Sequence, residues 1–125
     1  MSNEMETKER EYDLEERLVT YAALVIELTE ALPDSRAGNH IAVQLLRSGT
    51  SPAPNYGEAE AAESRKDFLH KMGICLKELR ESRIWLRVAA RRTLLPPADL
   101  TPILNETEEL IRIFNASIAT AKRNS

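Results

Sequence analysis

An all-α, up-and-down four-helix bundle is the fold this sequence predicts, on three observations. Apolar residues recur at alternating four- and three-residue spacing in four segments, the pattern of a helix with one buried face. Prolines and short polar breaks separate the segments. The composition, 42% hydrophobic and 30% charged with four glycines and few aromatics, suits packed helices rather than a β-sandwich or a disordered tail. A chain of 125 residues is enough for one domain around one core.

Residues 1–12 are polar and lack apolar spacing, so a flexible arm is expected there, with the bundle occupying 13–123. The first helix is expected from about Asp13 to Leu32, its seam formed by Leu14, Leu18, Tyr21, Val25, Leu28 and Leu32. Pro33 stops it, since proline has no amide donor and clashes with the preceding turn. Asp34 and Ser35 offer N-caps for a second helix, with Ile41, Leu45 and Leu46 on its apolar side. That helix meets Gly49, Pro52 and Pro54, where lost hydrogen bonds should bend it, and it resumes to about Ala62.

Ser64-x-x-Asp67 resembles a capping box and opens the third and longest helix. Its expected core stripe is Leu69, Met72, Leu76, Leu79, Leu86 and Ala90, running to about Thr93 before Pro96-Pro97. The fourth helix should start between Pro97 and Thr101, placing Pro102 in the tolerant first turn. Ile103, Leu110, Ile111, Phe114, Ile118 and Ala121 carry its apolar face to near Lys122.

Two stretches carry a family resemblance. One is Gln44-Leu45-Leu46-Arg47-Ser48-Gly49-Thr50-Ser51-Pro52-Ala53-Pro54-Asn55. The other runs from Ser64 through Asp67-Phe68, Lys71-Met72, Ile74, Leu76-Lys77-Glu78 and Glu81-Ser82 to Trp85-Leu86. They resemble the small bacterial four-helix bundle proteins also called the 23S ribosomal RNA intervening-sequence protein family, over nearly the whole chain from Asp13 to Lys122. The resemblance implies a left-handed bundle that assembles into a ring, typically a pentamer, with no enzymatic activity and no cofactor. Some relatives are encoded within inserts of ribosomal RNA genes. Others are strongly basic accessory subunits of retroelements, proposed to bind a reverse transcriptase and nucleic acid.

Charge is unevenly spread within a net of −3. Residues 1–32 hold nine acids and three bases, whereas residues 64–93 hold nine bases and three acids. The simplest expectation is that these oppositely charged helices neutralise each other across the bundle. Arg80, Arg83, Arg87, Arg91 and Arg92 form a basic strip, a candidate nucleic-acid contact. No aromatics alternate with these arginines to stack bases. Arg47, Asn55, Lys71, Glu78 and Glu81 are expected to join the second and third helices in an ion and hydrogen-bond network. Val19 and Ile26 fall off the first helix's seam, and Ile74 and Trp85 lie roughly opposite the third helix's core stripe. A large aromatic among charges has the composition of a subunit interface.

Enzyme chemistry finds little footing. His40 and His70 lack the spacing that ligates a metal in a bundle core. Cys75 stands alone among apolar neighbours, which predicts an inert buried thiol in a reducing compartment. Gly49 and Gly57 do not make a phosphate loop. No apolar run approaches the roughly 20 residues that span a bilayer, and the charged N-terminus lacks the apolar core of a secretory signal. The expectation is a cytoplasmic, non-catalytic homo-oligomer acting as an interaction module. The alternative is a nucleic-acid-binding accessory subunit, with RNA or a nucleic-acid-processing protein as partner.

Overall fold

The computed structural model describes residues 2–124, with side chains from Leu14 to Asn124; the arm expected over residues 1–12 lies outside the residues described in full. The helices are α1 (Ser2–Ala31), α2 (Arg36–Thr50), α3 (Pro52–Glu60), α4 (Arg65–Arg91) and α5 (Pro97–Arg123). The pair α2 and α3 forms two limbs of one bent helix, so the architecture is the four-helix bundle that the apolar spacing predicts. The bend falls at Ser51, whose backbone stays right-handed helical (φ −69°, ψ −38°). Pro52 and Pro54 carry no N–H to return to the carbonyls one turn earlier, so the axis turns without uncoiling.

The helices follow one another around the bundle. α1 packs on α2, α3 and α5, and α4 packs on α2, α3 and α5, whereas the described backbones of α1 and α4 stand apart on the diagonal, with Tyr21 of α1 reaching Ser82 of α4 across the core. All six seam residues of α1, from Leu14 to Leu32, are buried. In α4 the buried line is Met72, Cys75, Leu79, Ser82, Leu86 and Ala89. The expected Leu69 and Leu76 are half-buried on its flank, and Ala90 is exposed because its neighbour Ala89 takes the inward position. Leu46, expected inward on α2, also stands outward, one residue past Leu45, which is fully buried.

Caps explain the starts of α2 and α4 and the end of α4. Ser35 Oγ accepts from the Gly38 amide at 3.0 Å and Ser64 Oγ from the Asp67 amide at 3.0 Å, each satisfying a free donor of a first turn. At the other end of α4, Leu94 N–H reaches Ala89 O at 2.9 Å and Thr93 N–H reaches Ala90 O at 3.1 Å. That Schellman closure puts Thr93 at φ 51°, an unusual conformation for a β-branched residue, while Leu94 packs against the core. Pro102 lies beyond the first turn of α5, which begins at Pro97, so the expected placement is corrected by one turn. Buried hydroxyl pairs cross-brace the interior: Tyr21 with Thr107 at 2.7 Å, and Ser48 with Ser82 at 2.8 Å.

Candidate interaction surface

Glu78 and Glu81 are three residues apart on α4, so both carboxylates rise on the flank facing α2. Arg47 of α2 spans them. Its Nη1 donates to Glu78 Oε2 at 2.8 Å and its Nη2 donates to Glu81 Oε2. A planar guanidinium can serve two acids at once, which an ammonium on the same stem does less well. Glu81 Oε2 also accepts from Trp85 Nε1 at 3.1 Å, and the Trp85 ring meets His40 edge-on at 5.7 Å between centroids. The result is a polar seam that fixes the rotation of α2 against α4. Because Glu78 is buried while Arg47 is half-exposed, Arg47→Met should cost about 1–2 kcal/mol in urea unfolding, mostly from the stranded carboxylate. Arg47→Lys should recover part of that loss.

The other two members of the expected network sit elsewhere. Lys71 Nζ pairs with Glu58 Oε1 at 2.8 Å, a separate bridge from α4 to α3. Asn55 does not join the helices. Its Nδ2 donates to the carbonyl and the Oγ of Ser51, at 3.0 and 2.9 Å, bracing the bend from within. The expected five-residue network is thus corrected to a triad of Arg47, Glu78 and Glu81, with Trp85 and His40 attached.

The four expected interface residues divide into two pairs. Val19 and Ile26 are exposed on the outer face of α1. Ile74 and Trp85 are half-buried, and Trp85 packs against the core with its N–H engaged, so it is a wall of the α2–α4 seam more than a free anchor. Sequence reasoning missed other outward apolar side chains: Leu24 on α1, Val43 (65% exposed) and Leu46 on α2, and Ile84 and Val88 on α4. The signal was present for the α4 pair. Ile84 lies seven residues after Lys77 and seven before Arg91, along a line that otherwise carries charge.

The arginine strip is only partly free. Arg83 lies 3.5 Å from Glu108 of α5 and Arg80 donates to Asn115 at 3.4 Å. Arg87, Arg91 and Arg92 are exposed and carry no ion pair among the described residues. The expected neutralisation of this strip by α1 does not occur, because α1 and α4 stand diagonally in the bundle. Among the described residues, the base of α1 that does cross, Arg17, pairs with Glu106 of α5 at 2.7 Å.

Burial pushes Cys75 and Tyr21 each up to about 12, so both are protonated at neutral pH. Cys75 Sγ donates to the carbonyl of Pro52 at 3.5 Å, a structural contact beneath the bend. No metal-binding group of His, Cys, Asp and Glu occurs among the described residues. A cleft of about 890 Å³ opens where Leu14, Tyr56, Phe68, Met72 and Ile113 converge. Two arginines on its rim are engaged, Arg17 with Glu106 and Arg65 with the carbonyl of Ala121.

A family model described as 23S rRNA-intervening sequence protein matches residues 10–116. A crystal structure of a protein of unknown function from the S23 ribosomal protein family of Bacteroides thetaiotaomicron is similar in fold and sequence. It superposes with a TM-score of 0.79 at 30% identity, covering 84% of this chain and 97% of that one. No curated protein matches.

Proposed function

Since the chain belongs to the 23S rRNA-intervening sequence protein family, we propose that it works by binding rather than catalysis, as a self-associating interaction module in the cytoplasm. Its oligomer, a ring such as a pentamer, presents a repeated surface to a partner. The observation that carries this reading is the placement of apolar pairs on outer faces: Val19 and Ile26, Val43 and Leu46, Ile84 and Val88. Single exposed hydrophobes are ordinary, but three pairs at helical spacing form stripes, and stripes of this kind mark association surfaces. None of the described helices is long and apolar enough to cross a membrane. Light scattering of the purified protein tests the reading. A mass several times that of one chain at micromolar concentration is expected, and a monomer overturns it.

A second reading, RNA binding by the strip, is favoured by the unpaired state of Arg87, Arg91 and Arg92. Anisotropy of a fluorescent structured RNA, first at low and then at near-physiological salt, separates the two readings. Binding that falls steeply with salt and disappears in the triple alanine variant at those positions supports a phosphate-contacting strip. No binding at low salt sinks it.

A further inference from the structure

We infer that copies of this chain join head to tail, the outer face of α1 in one copy lying on the outer face of α4 in the next. The inference rests on the self-association reading and names its contact. On α1, Glu15, Val19, Ile26 and Glu30 fall on one line at 100° per residue, with Ala22 and Ala23 between them and Glu27 at the edge. On α4, Lys77, Ile84 and Arg91 recur every seven residues, flanked by Arg80, Arg87 and Val88. Both lines are solvent-facing, apolar at the centre and charged at the edges, one acidic and one basic.

Charge decides the occupant. Glu15, Glu27, Glu30, Lys77, Arg87 and Arg91 carry no ion pair among the described residues. Laying α1 on α1 sets acid against acid, and α4 on α4 sets base against base. Of these three pairings, α1 on α4 sets acidic edges against basic ones while covering Val19, Ile26, Ile84 and Val88 together, the arrangement by which flanking charges choose a partner helix. Within one chain this contact does not form, because the two helices are diagonal. Each copy therefore offers one acidic and one basic face on opposite sides. A contact between two different faces propagates from copy to copy until its rotation closes a ring.

Two charge-reversed variants test this by sedimentation of the full chain. The first carries Glu15→Lys, Glu27→Lys and Glu30→Lys, so both its faces are basic. The second carries Lys77→Glu, Arg87→Glu and Arg91→Glu, so both its faces are acidic. Each alone should need about tenfold or more concentration to assemble, with an unchanged helical circular dichroism spectrum. An equimolar mixture should associate again, because the two reversed faces complement each other as the two natural faces do. Alternating copies close only rings of even number, so association into mixed pairs and longer chains, not ring closure, is the readout. Assembly that survives both reversals overturns the inference, including the case in which only RNA binding is lost from the second variant. Loss of assembly with no recovery on mixing also overturns it and leaves self-association standing through another face. A monomeric parent chain removes both.

Discussion

Phe114→Ala is expected to remove about 3–5 kcal/mol of stability, a large share of what a domain of this size has. Phe114 is fully buried on α5, and its ring meets Tyr56 of α3 edge-to-face at 6.0 Å between centroids and 82°. Alanine loses the transfer free energy of the ring, leaves a cavity that rigid helices close poorly, and removes an aromatic pair of about 0.5–1.5 kcal/mol. The cavity opens between α5 and the limb beyond the bend, where Pro52 and Pro54 have already removed two backbone hydrogen bonds. Urea unfolding followed by circular dichroism measures the loss. A cost under about 1 kcal/mol would mean that α3 moves in to fill the space. The control is Ile26→Ala on the outer face of α1, expected within about 0.5 kcal/mol for the unassembled chain, since that side chain is exposed.

How much of this was legible depended on whether a feature belongs to one helix or to the arrangement of several. The seam of α1 was fully legible, since period alone decides which residues of an isolated helix can share a face. The cap at Ser64 was legible for the same local reason. Asn55 was not. Its spacing resembles that of a cross-helix partner, but Ser51 one turn earlier offers both its carbonyl and its hydroxyl within reach, and a local bond wins over a distant one.

The misplaced charge balance is the more instructive case. Counting acids in the first helix and bases in the third gave the right totals and the wrong destination. In a bundle whose helices follow one another around a square, the first and third are diagonal, so neutralisation between them within one chain is geometrically closed. Arg17 shows what the topology allows, by reaching Glu106 on the adjacent α5. Glu15, Glu16, Glu27 and Glu30 of α1 and Lys77, Arg87 and Arg91 of α4 face outward, so a composition that looked internal became a property of the surface.

Gly49→Leu is expected to cost about 3 kcal/mol or more, at or beyond the usual range for overpacking. The sequence placed Gly49 beside the prolines as part of the break, yet it lies inside α2 and is buried for a different reason. A Cβ built there would stand 2.6 and 2.7 Å from the two methyl carbons of Val25 and 3.1 Å from its Cβ. Val25 is fully buried and β-branched, so it has little rotamer freedom with which to yield, and α1 and α2 would have to separate. Even Gly49→Ala should be destabilising, because the crowding exceeds the gain of about 1 kcal/mol that alanine brings to a helix interior. Gly73 supplies the opposite sign. It is exposed on α4 with nothing within 4 Å of an added Cβ, so Gly73→Ala should stabilise by about 0.5–1 kcal/mol. Combining Gly49→Ala with Val25→Ala isolates the close approach itself. The pair should lose less than its two single variants predict together, since each methyl removed makes room for the one added. Strict additivity would mean that Val25 is not what the missing side chain makes room for, and that Gly49 is held by the bend after all.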